Sequence, residues 1–416
     1  MNDALLTKRI ELKCEKDFLS PALFVNPQRK SEGQLLNKMI ARYPIDKKND
    51  GLNSIDGLVI SIKDWEKVAP ILFRKSLHEL FGDDYRPMSD RVLIIDPSLH
   101  LPFMGMKPHK RAFCEAVEWL PKLDDIVSRV GAIRSQKIKT ERYMNEIYPL
   151  LDVRAIQGFL EFQIRNRADI LVSPSVPLTS RRLIESQIEK MGEMNRESRI
   201  LLNTVFSKFK DQRDLLNLVT LNPSVLAPEF FEDIKGALLQ NNPDLIAIRV
   251  MNLNEENAPD IETLLKFIKE LAESKKPVFI LNVREFGYVA FYHGASAIAT
   301  PIAKSPYTVR SKGGERPPKK GKYYHPSDML DYSYKKIFEL TRPKNYRLPC
   351  HCEICDHHGS LLKADKSGWN EFRKVHFLLV KDMEIKEFRE SEVTLRTALK
   401  DKFGRSKKTG WVSFLD

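Results

Sequence analysis

Cysteine is scarce in this chain. There are five in 416 residues; Cys350, Cys352 and Cys355 lie within six positions of one another, while Cys14 and Cys114 stand alone. Such a distribution excludes a disulfide framework and suits a reducing compartment. Long apolar runs are also missing: none approaches the ~18 residues of a membrane-spanning helix. The opening stretch, MNDALLTKRIELKCEKD, is too charged for a secretory signal. The expectation is therefore a cytoplasmic protein with no membrane partner. No internal repeat and no low-complexity tract is present. What the chain does have is 42% hydrophobic residues, enough for one large domain or two ordinary ones. Its net charge of +12 is unevenly spread: residues 301–350 hold twelve Lys/Arg against four Asp/Glu. A local excess of this kind is the footprint expected for a polyanionic partner.

Eight short β-branched runs punctuate the first 300 residues: PALFV (21–25), GLVISI (57–62), RVLII (91–95), DILVS (169–173), LNLVTL (216–221), LIAIRV (245–250), PVFIL (277–281) and SAIAT (296–300). Most are continuously apolar, the pattern of strands buried on both faces in a parallel sheet. Helical spacing fills the intervals, for example Val68, Ile71, Leu72, Leu77 and Leu80, or Ile261, Leu264, Leu265, Ile268 and Leu271. The order predicts an α/β fold, a (β/α)8 TIM barrel, with an open doubly wound sheet as the alternative. We read residues 1–300 as the barrel, with a helical insertion at about 97–168 over its mouth. Residues 301–349 read as a basic connecting segment. Residues 350–416 read as a zinc-binding subdomain with a C-terminal helix or tail.

The zinc expectation rests on Cys350-His351-Cys352-Glu353-Ile354-Cys355, a C-x-C-x-x-C turn. Three thiolates at this spacing can occupy three corners of a tetrahedron. Candidates for the fourth corner are His351, His357, His358 and His376. His376 belongs to a run, Trp369, Phe372, His376, Leu379 and Met383, spaced as one face of a helix. A histidine on an apolar face needs a partner for its ring nitrogens, and a metal is one. We therefore select His376. Four protein ligands close the site, so the zinc is expected to be structural.

A C-x-C-x-x-C turn directly after an eighth strand, with a helical histidine twenty-one residues later, resembles the tRNA-guanine transglycosylase family. The likeness extends thinly over most of the chain. PVFILNVREFGYVAFYHGASAIAT, with Gly294 before the last strand, is similar to the family's seventh strand, helix and eighth strand. RVLIIDPS resembles its third strand and turn, RNRADILVSPS its fourth, and PDLIAIRVMNLNEEN its sixth. The resemblance implies a (β/α)8 barrel with structural zinc on Cys350, Cys352, Cys355 and His376. It also implies exchange of guanine for a 7-deazaguanine in a polynucleotide, through one nucleophilic and one proton-handling carboxylate.

Residue by residue the active site departs from the family. Asp96 matches the proton-handling aspartate, but Pro97 and Ser98 replace the Ser-Gly-Gly that follows it. Ala299 or a neighbour (Ser296, Ala297, Thr300) stands where the nucleophilic aspartate is expected, and SAIATPIAK contains no acid. Ser173-Pro174-Ser175 replaces the base-reading aspartate, Asn222-Pro223-Ser224 the Gln-Gly-Gly, and Arg249 to Leu253 the glycine-rich loop. A second acid would have to come from Asp64, Glu255, Glu256 or Glu285. The favoured expectation is a non-catalytic member that binds tRNA or, less favoured, DNA. It would act as a homodimer or as a heterodimer with an active paralogue. The alternative is an active transglycosylase with a rearranged site. The phosphate contacts are assigned to Lys304, Arg310, Lys312, Arg316, Lys319, Lys320 and Lys322, with Tyr307, Tyr323 and Tyr324 interleaved to stack on bases.

Overall fold

Each of the eight apolar runs forms a strand in the computed structural model. It describes residues 8–42, 55–72, 91–97, 99, 136–251, 253, 257–302, 323–341, 348, 350–358, 369–390 and 394–415. The strands are β1 (Ala22–Asn26), β2 (Ile55–Ser61), β3 (Val92–Asp96), β4 (Ile170–Val172), β5 (Asp214–Leu221), β6 (Leu245–Val250), β7 (Val278–Leu281) and β8 (Ala297–Pro301). All pair in parallel in chain order. β8 returns to β1 and β4 joins β5, so the sheet closes into a barrel and the doubly wound alternative is excluded. Burial on both faces explains the unbroken apolar runs. One face of each strand fills the barrel, the other meets the helices.

Inside lie Phe24, Val59, Ile94, Val172, Leu216, Leu218, Ala247, Phe279, Leu281 and Ala299. The N-terminal end of the barrel is sealed by an antiparallel hairpin, Lys8–Glu11 with Asp17–Ser20. Its Phe18 sits edge-on to Phe24 and Phe279, with centroids 5.6 and 5.5 Å away. Lys13 N–H donates to Asp214 and Lys16 Nζ to Asp169, which tie the hairpin to the starts of β5 and β4. Nothing in the sequence reading anticipates this plug.

Helices α1 (Lys30–Arg42), α2 (Ile62–Leu72), α3 (Val153–Arg165), α4 (Ile184–Asn203), α5 (Phe231–Leu239), α6 (Ala258–Ala272) and α7 (Phe286–Tyr292) follow the first seven strands. The expected insertion supplies one further described α-helix, Gln136–Glu146, whose Tyr143 hydroxyl donates to Leu99 O at 2.6 Å. Residues 101–135 lie outside the described residues. The eighth ring helix comes from beyond the cysteines: α8 (Trp369–Glu390) packs against α1 and β1. Near its start Lys374 pairs with Glu32 of α1 at 3.2 Å. Near its end Arg389 donates to Pro21 O and pairs with Asp56 at 2.6 Å. α8 thus runs from the C-terminal end of the barrel to the N-terminal end, antiparallel to the strands. A last helix, α9 (Leu395–Arg405), and a 3-10 turn, Thr409–Leu415, cover α7. Among the described residues no helix is long and apolar enough to cross a membrane.

The face read for α8 needs one correction. Trp369, Phe372, His376 and Leu379 are buried, but Met383 is 50% exposed. A +3/+4 seam averages 3.5 residues per turn, and a straight helix drifts from it by about 20° per heptad. Over fourteen residues Met383 rotates out, and Lys381, Glu384, Ile385 and Phe388 take the inward face.

Candidate metal centre and the barrel mouth

Cys350 and Cys352 sit on a turn, and the short helix Glu353–His358 starts immediately after it. Cys355 N–H and Asp356 N–H both donate to Cys352 O, at 2.8 and 3.1 Å, and Cys352 N–H donates to Cys350 Sγ at 3.3 Å. This folds all three sulfurs to one side. α8 brings His376 to them, and the four donor atoms lie within 4.8 Å of one another, all on buried residues. His376 Nδ1 is 3.3 Å from Cys352 Sγ and 3.2 Å from Cys355 Sγ. With metal bonds of ~2.3 Å to sulfur and ~2.0 Å to nitrogen, a tetrahedral S···N edge is about 3.5 Å, so these two distances match it to within a few tenths of an ångström.

The surrounding groups fix that arrangement. His376 Nε2–H donates to Tyr324 O at 2.6 Å, which leaves the Nδ1 lone pair directed at the sulfurs. Tyr323 stacks on the imidazole at a centroid distance of 4.1 Å, and its hydroxyl lies 3.5 Å from Cys355 Sγ. Three sulfurs this close cannot all ionise unaided. Hydrogen bonds from Cys352 and Cys355 hold the Cys350 thiol far below its usual range. Donation to Cys350 pushes Cys352 up to about 12 and Cys355 higher still. A bound dication removes the conflict, because all three can then be thiolates. Cys350, Cys352, Cys355 and His376 therefore form a buried group that can hold a metal ion. His351 is not part of it: its side chain is 95% exposed, beside Asp356. The side chains of His357 and His358 lie outside the described residues.

A buried charge cluster adjoins the metal group. Glu384 accepts from Tyr324 at 3.2 Å, from Lys381 at 3.0 Å and from Tyr288, and pairs with Lys402 at 3.1 Å. Burial alone would raise its carboxyl pKa; Lys381 and Lys402 outweigh that and bring it down to about 2. The sequence reading missed this cluster. Its one visible signal was the charge inside the helix, Lys381-Asp382 and Glu384.

At the C-terminal end of the barrel the register sets Ser61 beside Asp96 and Thr220 beside Arg249. Asp96 and Arg249 meet across the barrel, Oδ2 to Nη2 at 2.5 Å, both almost fully buried. Sequence reasoning placed Arg249 only as a substitute for a glycine-rich loop. Its register with inward-facing strand positions was the signal that could have found it. Ala299 faces the barrel interior and is 1% exposed. Among the other positions weighed, Ser173 turns outward to Ser198 of α4, hydroxyl to hydroxyl at 3.0 Å. Asn222 Oδ1 accepts from Ser224 N–H in a local turn. Glu285 leaves the mouth for Lys381, at 3.3 Å. Asp64 is buried in the first turn of α2. Glu255 and Glu256 lie outside the described residues.

The basic positions Lys304, Arg310, Lys312, Arg316, Lys319, Lys320 and Lys322, with Tyr307, also lie outside the described residues. Tyr323 and Tyr324 do not, and here the base-stacking expectation is corrected. Both are buried, at 0% and 1% exposure, because one covers His376 and the other reaches Glu384. No ring face is left for a base. No protein-family model matches the chain, and no curated protein matches it.

Proposed function

We propose that this chain is a transglycosylase-like barrel, held together by structural zinc, that binds tRNA or DNA without exchanging a base. The reading starts from the resemblance of the C-x-C-x-x-C turn and its helical histidine, and from the basic stretch 301–350. Zinc is favoured because a closed, buried set of three sulfurs and one nitrogen is the donor set it prefers.

The observation that carries the non-catalytic reading is the Asp96–Arg249 pair. A general acid or base must reach the proton it transfers. Asp96 instead accepts from a guanidinium in the barrel interior. The position where a nucleophilic carboxylate is expected is Ala299, which offers no atom to attack an anomeric carbon. One observation favours the active alternative: Asp96 faces inward at the C-terminal end of a barrel strand, where TIM-barrel enzymes place their chemistry.

The two readings part in a paired assay on the zinc-loaded chain. Binding of tRNA and duplex DNA would be measured by mobility shift, and exchange by labelled guanine. Tight, steeply salt-dependent binding without incorporation is expected, weakened by Lys319→Glu with Lys320→Glu. Incorporation that disappears in Asp96→Asn would establish the active reading. Binding unchanged by the double charge reversal would remove the role given to the basic stretch. In a cytoplasmic setting such a subunit would hold nucleic acid as a homodimer or beside a catalytic paralogue.

A further inference from the structure

The strand Tyr323–His325 lies between the metal group and the buried charge cluster, and successive residues of a strand face opposite ways. Tyr323 turns to the metal group: its ring covers His376 and its hydroxyl meets Cys355 Sγ. Tyr324 turns to the other side, where its hydroxyl donates to Glu384. Its carbonyl meanwhile accepts from His376 Nε2–H. The strand is thus bonded to the metal group on one face and to Glu384 on the other.

The C-terminal segment, residues 394–415, is tied to Glu384 of α8, which Tyr324 also bonds, and to the turn and second strand of the hairpin. Lys402 of α9 pairs with Glu384, the carboxylate that Tyr324 also uses. Lys407 Nζ donates to Tyr332 at 2.6 Å and lies 3.5 Å from Asp328, both in the hairpin Tyr323–His325 with Leu330–Tyr332. Other ties bypass the hairpin: Lys402 Nζ also lies 3.6 Å from Glu387 of α8, and His293 Nε2 lies 2.8 Å from Phe414 O.

We propose that metal loading of the Cys350–Cys352–Cys355–His376 group seats residues 394–415 against α7 and α8, with Tyr323–Tyr324 as the joint. A dication draws the cysteine turn and α8 together and fixes Tyr323 between them. Without it the sulfurs have no common centre, and on that side the hairpin is held by the carbonyl bond to His376 and by the Tyr323 ring and hydroxyl, while Arg284 pairs with Asp331 in its other strand. The hairpin then loosens, and the Lys402 and Lys407 ties loosen with it. Coupling of this kind is reciprocal, so a C-terminal segment that is not seated must also hold the metal less tightly. This holds whether or not the protein binds nucleic acid.

The test is hydrogen exchange by mass spectrometry on the full chain, zinc-loaded and after chelation, with zinc content measured on both samples. Amides in 394–415 are expected to exchange about tenfold faster after chelation, while β5, β6 and β7 keep their protection. Tyr324→Phe keeps the carbonyl that His376 uses, so it is expected to retain zinc yet loosen 394–415. Lys402→Met is expected to weaken zinc affinity, read as the equilibrium partition of zinc between the protein and a chromogenic chelator, by about fivefold or more. Unchanged exchange in 394–415 on chelation, or equal loss of protection throughout the barrel, would overturn the proposal. So would an equilibrium zinc partition in Lys402→Met equal to that of the unaltered chain.

Discussion

Tyr323 and Tyr324 show how neighbours in sequence can differ in environment. They follow a basic stretch, and composition alone suggested a surface for bases; the structure buries both. Composition counts charge but does not tell which aromatic rings a buried histidine will claim. The four residues that can hold a metal were legible because their chemistry is local: three cysteines on one turn and a histidine on an apolar helix face. Asp96 was legible as a strand-end acid, but its partner was not, because Arg249 is 153 positions away and only barrel closure brings them together. That pair supports a prediction. Arg249→Met removes the guanidinium that the buried Asp96 carboxylate meets and is expected to lower stability by about 3–5 kcal/mol, while Asp96→Leu with Arg249→Met recovers most of it. Urea unfolding of the three proteins measures this; a double variant as unstable as the single one would contradict it. Glu384 gives a pH prediction. Its folded pKa of about 2 lies below the ordinary carboxylate value, so its stabilisation is fully present above about pH 4.5 and is lost as pH falls toward 2. Glu384→Gln should therefore be least stable relative to the unaltered chain near neutrality, with the gap closing in acid. A gap independent of pH would mean that the carboxylate charge is not what stabilises the cluster.

At the scale of elements, the eight strands were readable to within two residues because double-sided burial leaves a simple mark, an unbroken apolar run. The N-terminal hairpin left no such mark. Its strands, KRIE and DFLS, are four residues long and each buries one of the four, so their apolar content is slight. Yet Phe18 closes the barrel floor against Phe24 and Phe279. Phe18→Ala is expected to cost about 3–5 kcal/mol. A denaturation midpoint that does not move would show that the hairpin is not part of the core. Helix α8 was readable as a helix, but not as the eighth member of the ring. Spacing identifies a buried face without saying what covers it. Here it is covered by two things in turn, the metal group near Trp369 and His376, then the charged cluster around Lys381 and Glu384.

For the whole molecule, α8 makes the metal group and the barrel one structure. The helix that carries His376 also binds α1 at one end through Lys374 and the barrel floor at the other through Arg389. A metal ion at this position therefore stabilises the ring and not only a local turn. The nucleic-acid reading depends on the basic stretch and on resemblance; the metal centre stands on geometry. Its direct measurement is elemental analysis of the purified chain and of Cys352→Ser and His376→Ala. One zinc per chain is predicted for the unaltered protein, with loss from both variants. No metal in the unaltered chain, or full retention of zinc in both variants, would contradict it.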